Sequence, residues 1–502
     1  MSVFEKCGQD QVVPLWINGE RLPAQSSPRF EVIQAAGKKT VHYGASATVE
    51  DAKAAITAAT AAFPAWSKTP LTKRREILLK AADLLVQRAE ELGTMQALET
   101  SAPVQFGTMF AHGGADTMRE TAAQITVAFS GLLPHSENDN THMMTVRQPI
   151  GPILFISPWN SPTYLATRGI ATALAAGCTI VLKGSELCPA TYLMICEVFA
   201  DAGVPAGVLN QIVSRREDAA AVTEAIVSDP RIRKVEFIGS AAVGSIIGQM
   251  CGKYLKPILM ELGGKCPLIV CHDADLPKAA RAAAFGAFLH HGQICMSTER
   301  VIVVKSVADE FTGYLKQAVE AWSAQAGSAA TKAFADKAHG LVQEALAEGA
   351  KLIVRDNSFV NAAETCLRPT IVTDVDLKSK LYTAESFGPS ATLLVVDDED
   401  AAIELANSSA YGLTSSIFTQ DAMRGIALAK RLENGVVSIN DATVLTDIPP
   451  TMTAGAAKGS GWGIVNAAEG IREFLQMKAI VVKGTYLGIW VTQPYWPRIS
   501  LK

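Results

Sequence analysis

The chain has 502 residues, 49% hydrophobic and 19% charged, with a formal net charge of −4. Such a chain makes roughly two to four domains at about 150 residues each. The composition excludes a nucleic-acid surface, which needs a basic block, and a bilayer span: the longest apolar runs, such as Ile170 to Leu182, fall short of the roughly 18 residues required.

The first residues, MSVFEKCGQDQ, carry neither a charged-then-apolar signal nor an Arg-rich presequence, so a cytoplasmic location is expected. Leu15 to Glu20 reads as a strand entering a turn at Asn18-Gly19, and Phe30 to Tyr43 continues strand-like. Thr48 to Asp51 has the form of a capping box, and an Ala-rich helix follows to about Phe63. Apolar residues at helical spacing predict one long helix from about Lys73 to Glu99 and another over Gly114 to Phe129. The polar stretch Leu132 to Asn140 marks a boundary, and Thr141 to Arg147 alternates like an exposed ribbon. From Pro149 strands and helices alternate: ILFIS at Ile153, TIVLK at Thr179, LNQIV at Leu209 and KVEFIG at Lys234, with helices between them. That rhythm predicts a parallel sheet covered on both faces. A second α/β region follows Glu261, and the tail from Ile480 to Val491 reads as an apolar strand that pairs with Thr141 to Arg147 or with another subunit.

Nine scattered cysteines fit no disulfide framework. Cys266, Cys271 and His272 lack zinc spacing, so no metal is expected. There is no GxGxxG. Instead the run GSAAVG, from Gly239 through Ser240 and Val243 to Gly244, follows a strand and opens a helix, where backbone N–H groups can hold a phosphate; alone it is also an ordinary turn. Lys183 and Glu186 end a strand, the place where open parallel sheets bind ligands. A carboxylate there can bind ribose hydroxyls and repels a 2′-phosphate, which favours NAD over NADP; two solvated charges are the plain alternative. Two prolines around Trp159-Asn160 fix a turn whose amide can donate to a developing oxyanion, and plain turn chemistry explains it equally. Glu261 ends the apolar run PILM and is a candidate general base. Cys295, one of nine cysteines, stands in the turn GQICMS and is a candidate nucleophile; a buried inert thiol is the common alternative.

PWNSP, KGSE, FIGS, ELGGK, GQICMS and ESFGP occur in the order found in the aldehyde dehydrogenase superfamily, which the chain resembles from LWINGE to its final strands. Within it the chain looks most like the salicylaldehyde and vanillin dehydrogenase group, on GQICMSTERVIV, MELGGK and Arg168 eight residues after Asn160. The resemblance implies an α/β fold in three parts. An NAD-binding Rossmann-like domain covers 1–130 and 150–261, and a catalytic domain covers 262–445. Residues 446–484 return to the NAD-binding domain, and an oligomerisation ribbon covers 131–149 and 485–502. It implies NAD-dependent oxidation of an aldehyde, aromatic or bulky, to the acid by a homodimer or homotetramer. Cys295 would be the nucleophile, Asn160 the oxyanion donor and Glu261 the base that activates water. Ile156, Trp159, Lys183, Glu186, Gly239, Ser240, Val243, Gly244, Glu385 and Phe387 would hold NAD, and Arg168 and Ser161 the substrate. Arg168 would pair with a phenolate or carboxylate; a surface salt bridge is its alternative. A coenzyme A-acylating enzyme, which needs no Glu261, and a non-catalytic relative are the competing readings. The chain departs from the family at Gly184, Ile238, His290-His291, the short segment between Trp322 and Phe334, and Pro449 to Gly463, which lacks Phe-Gly-Gly.

Overall fold

A computed structural model describes residues 11–22, 28–138, 140–322, 327–354, 356–444 and 452–484. Two sheets carry the architecture. The first has eight strands. Its core is the parallel set Ile258–Glu261, Lys234–Ile238, Ile153–Ile156, Ile180–Gly184 and Leu209–Val213, in that order. Antiparallel edges close it: Gly461–Trp462 beside Ile258–Glu261, and the hairpin Leu15–Ile17 and Glu20–Leu22 beyond Leu209–Val213. The second has seven strands, in the order Lys351–Val354, Thr370–Thr373, Ser390–Val396, Thr298–Val304, Cys266–Val270, Thr414–Phe418 and Val436–Ile439. Cys266 and Cys271 are buried at this strand and its end.

The core strands of the first sheet are buried on both faces, which is why they read as continuous apolar runs. Within the parallel set chain order starts in the middle, runs outward to Leu209–Val213, then returns to the other side. The reversal lies between Ile153–Ile156 and Lys234–Ile238, and a crevice opens past the C-terminal ends of strands at such a point. Glu261 ends the first sheet, and Cys295 lies just before strand Thr298–Val304 of the second. Glu385 and Phe387 likewise precede strand Ser390–Val396. The C-terminal edge of one sheet thus shares its loops with the N-terminal edge of the other.

Local expectations are met in several places. Thr48 accepts from the Asp51 N–H while the Asp51 carboxylate accepts from the Thr48 N–H, at 2.8 Å, closing the capping box. Asn18 and Gly19 have φ of 57° and 77°, the turn an Asn-Gly pair favours. Three expectations need correction. The single helix over Lys73–Glu99 is two, Leu71–Gln87 and Ala89–Thr100, broken at Arg88 (φ −104°, ψ 11°) with no Gly or Pro to announce it. The helix expected from Gly114 starts at Val104, just after Pro103. The terminal strand lies earlier, at Leu475–Lys483, paired antiparallel with Thr141–Pro149 over their full length; the rest of the expected strand, with the 485–502 segment, lies outside the described residues.

Candidate active site

Cys295 sits on a turn held from several sides. Helix Leu276–Phe288 ends, and His290, His291 and Gly292 all adopt left-handed backbone, φ 50°, 60° and 73°. A Cβ on Gly292 would stand 2.1 Å from the Gly388 carbonyl, so only glycine fits. Gln293 is fully buried and locks the turn. Its Nε2 donates to the carbonyls of His290 (3.1 Å) and Ser328 (3.2 Å), and its Oε1 accepts from the Ala330 N–H (2.9 Å). Ser297 donates its hydroxyl to the Gly292 carbonyl at 3.1 Å. Gly264 lets this turn approach the neighbouring strand, since a Cβ there would be 2.6 Å from the Cys295 carbonyl. His290, one of the departures from the family pattern, is buried with its ring stacked on Phe106, centroids 4.4 Å apart. Burial and the neighbouring His291 hold it neutral, down to about 3.

Asn160 reaches this turn from the first sheet. The turn it stands in bridges strand Ile153–Ile156 and helix Pro162–Ala176, and its Nδ2 donates to the Gln293 carbonyl at 3.0 Å. One cavity of about 360 Å³ is lined by Asn160, Ser161, Arg168, Glu261 and Cys295 together. Its other walls are largely apolar, including Phe106, Phe110, Tyr164 and Met296. The Ser161 hydroxyl is buried without a partner. Burial pushes the Cys295 thiol well above its usual range; Glu261 and Glu385 push the same way, and Arg168 opposes them.

Arg168 is 6% exposed and makes an ion pair with Glu261, whose side chain is 17% exposed. The surface salt bridge is thereby excluded, and the guanidinium is already engaged by a carboxylate of the protein itself. Burial opposes its charge, but Glu261, Tyr164 and Glu236 outweigh that and hold it firmly protonated. Sequence reading passed over two residues here. Gln293 was read only as part of a motif. Glu236, buried in the middle of strand Lys234–Ile238, was not singled out at all.

The remaining expected residues stand at strand ends, at the start of a helix and in the turn before strand Ser390–Val396. Ile156 and Lys183 are paired at neighbouring strand ends. Lys183 is buried, which lowers its ammonium, while Glu186 beyond it acts the other way. Gly239 and Ser240 open helix Ala241–Lys253, and the Ser240 hydroxyl accepts from the Val243 N–H at 3.4 Å, so it caps the helix. Gly244 packs against Leu262: a Cβ on it would stand 2.6 Å from that side chain. Val243 and Ile246 are exposed apolar residues on the same helix. Trp159 packs edge-on to Phe387 (5.8 Å) and stacks on Phe334 (4.9 Å). Glu385 accepts from the Gly264 N–H at 3.1 Å; burial, with Glu299, pushes its carboxyl up to about 7. Behind it the buried Glu299 pairs with Lys265 and accepts from the Ser386 N–H at 2.9 Å, anchoring the Glu385–Phe387 turn. A dinucleotide fits this set: a capped helix N-terminus for phosphates, Lys183 and Glu186 for a ribose, and exposed apolar side chains for a base. Of the two altered loops, 323–326 and 449–451 lie outside the described residues.

Residues 22–480 match the model of the Aldehyde dehydrogenase family. The chain is 40% identical to a vanillin dehydrogenase of Pseudomonas fluorescens, over 97% of this chain and 98% of that protein. The structure of a salicylaldehyde dehydrogenase from Pseudomonas putida G7 complexed with salicylaldehyde superposes with a TM-score of 0.91 at 34% identity, covering 97% of this chain and all of that one. A betaine aldehyde dehydrogenase of Staphylococcus aureus in complex with NAD+ superposes with a TM-score of 0.89 at 27% identity, covering 96% and 99%.

Proposed function

This chain belongs to the aldehyde dehydrogenase family, an oxidoreductase acting on aldehydes, and from that premise we propose that it oxidises an aromatic aldehyde to the carboxylic acid with NAD. The observation that carries the reading is the convergence of a thiol, an amide donor and a carboxylate, Cys295, Asn160 and Glu261, on one largely apolar cavity.

Cys295 attacks the aldehyde carbon as the thiolate and forms a thiohemiacetal. The Asn160 amide and the Cys295 backbone N–H stabilise the oxyanion; Gln293 keeps that amide facing the nucleophile's turn. NAD supplies the hydride acceptor when bound, held by Lys183 and Glu186 at the ribose, Gly239, Ser240, Val243 and Gly244 at the pyrophosphate, and Glu385 and Phe387 at the nicotinamide end, with Ile156 and Trp159 along the cleft. The carbon is then a thioester on Cys295. Glu261 takes a proton from water, which attacks the thioester and releases the acid. Phe106, Phe110 and Tyr164 support an aromatic ring, and Ser161 offers it an unpartnered hydroxyl. Glu186 disfavours a 2′-phosphate, hence NAD over NADP. We infer that the ribbon Thr141–Pro149 with Leu475–Lys483 joins subunits into a dimer or tetramer.

The test is NADH formation from benzaldehyde-type and straight-chain aldehydes side by side, with Cys295→Ala as control. Aromatic aldehydes are expected to give a kcat/KM at least about tenfold above short aliphatic ones, and the variant none. Preference for short aliphatic aldehydes would overturn the substrate assignment. Turnover surviving in Cys295→Ala would overturn the mechanism.

A further inference from the structure

The mechanism leaves one carboxyl close to the base unused. Glu236 is 2% exposed in the middle of strand Lys234–Ile238. In the parallel register Glu236 stands beside Leu259 and Ile238 beside Glu261. Side chains alternate along a strand, so Glu236 and Glu261 project from the same face, one strand apart. Helix Pro162–Ala176 covers that face. A Cβ on its Gly169 would come within 3.1 Å of Glu236 Oε2 and 2.5 Å of the Phe155 ring, so glycine there makes room for the buried carboxyl. The residue before it is Arg168, in ion pair with Glu261. Glu236 Oε2 has no hydrogen-bond partner. An unpaired buried carboxyl is costly unless a charge nearby compensates it.

The titratable groups acting on Glu236 are Arg168 on the covering helix, Glu261 on the next strand, Lys234 two residues before it, and Glu473; Tyr164, on the same helix, acts on Arg168. Lys234 is committed elsewhere, to the Glu473 carboxylate at 2.5 Å and the Glu473 carbonyl at 2.7 Å. Arg168 is thus the cation that two carboxyls must share. Burial raises the Glu236 carboxyl, with Arg168 and Lys234 pulling it down and Glu261 and Glu473 pushing it up; it ends at about 7.

We propose that Glu236 is a positioning residue for the general base: it competes with Glu261 for the one guanidinium of Arg168, and its protonation state sets how readily Glu261 takes a proton from water. The inference rests on the reading of Glu261 as that base. With Glu236 neutral, Arg168 serves Glu261 alone, and Glu261 is a weaker base. With Glu236 ionised, the guanidinium is shared and a second negative charge stands nearby, so Glu261 binds a proton more readily.

The experiment follows hydrolysis of a p-nitrophenyl ester, which acylates Cys295 and needs Glu261 for release, across pH in wild type, Glu236→Gln and Glu236→Asp. The wild-type deacylation rate is expected to rise a further several-fold as Glu236 ionises near pH 7; Glu236→Gln follows wild type below that pH and lacks the rise, with KM unchanged. Glu236→Asp, which keeps the carboxyl, restores the rise. Superimposable profiles for Glu236→Gln and wild type would overturn the proposal, as would a Glu236→Asp profile identical to that of Glu236→Gln. Isotope-edited infrared difference spectra of wild type against Glu236→Gln, in which the similarly raised Glu385 cancels, should show a protonated glutamic carboxyl that disappears near neutral pH. No such band above pH 5 would also overturn it. A wild-type acylation burst that survives Cys295→Ala defeats the reading of the site itself, whatever Glu236 does.

Discussion

Arg168 is paired with Glu261 and feels the charge of Glu236 as well, and its removal has a direction that physics fixes. In Arg168→Leu, Glu261 loses its counter-ion inside a mostly buried cavity while Glu236 remains beneath it. The ionised base is disfavoured, so the acidic limb of the pH–rate profile moves up. The Cys295 thiol, already raised by burial and by two carboxylates, loses the one cation that lowers it. The thiolate fraction falls about tenfold for each pH unit below the thiol's own titration, so alkylation of the apoenzyme by iodoacetamide should become slower at neutral pH and recover as pH rises. We expect aldehyde oxidation at neutral pH to fall at least about tenfold in this variant and to recover in part under alkaline conditions. A variant with wild-type rates and an unmoved profile would show that Arg168 does not govern the base. At this scale the sequence singles out Cys295, Glu261 and Asn160, which the structure brings to one cavity, through the motifs that carry the family resemblance rather than through residue type alone. Glu236 was not legible there: it stands in no motif, and its place beside Glu261 depends on which strands pair and in what register.

At the scale of elements, the turn from His290 to Gly292 does for the nucleophile what the two prolines do for Asn160. Three consecutive left-handed residues reverse the chain within one helical turn, and the buried Gln293 fastens the reversal to two carbonyls and an amide. Gly292→Ala places a Cβ 2.1 Å from the Gly388 carbonyl at a φ of 73°. The turn must shift, carrying Cys295 and the carbonyl that Asn160 donates to. A displacement of about 1 Å at a reacting group costs about a hundredfold in rate, so kcat should fall by that order while NAD binding, measured by fluorescence quenching, is retained. Unchanged kcat would mean the turn is not what positions the thiol. The sequence names the glycine but not its reason, since the contact is with Gly388, far along the chain. The break at Arg88 was equally illegible: helix periodicity continues through it, and no breaker residue stands there.

At the scale of the molecule, the rhythm of strands and helices made the two α/β sheets legible, because doubly covered parallel strands leave continuous apolar runs. The juxtaposition of the two sheets' edges was not legible, since it depends on which loops face each other. The ribbon of Thr141–Pro149 and Leu475–Lys483 was legible as a pairing, but its start was misplaced because the apolar run extends past the paired residues. A two-stranded ribbon with Met477, Val481 and Val482 exposed is only marginally stable alone, which is the physical reason to read it as a subunit contact. Among the described residues no helix is long and apolar enough to cross a membrane.

The central claim is that the substrate carbon passes through a thioester on Cys295 that Glu261 hydrolyses. The most direct measurement is intact-protein mass spectrometry of Glu261→Gln after incubation with an aromatic aldehyde and NAD. The account predicts a stable adduct in which one aroyl group replaces one hydrogen, mapped by peptide digestion to Cys295 and absent in the double variant with Cys295→Ala. No adduct while Glu261→Gln turns over at the wild-type rate, or an adduct on any other residue, would contradict it.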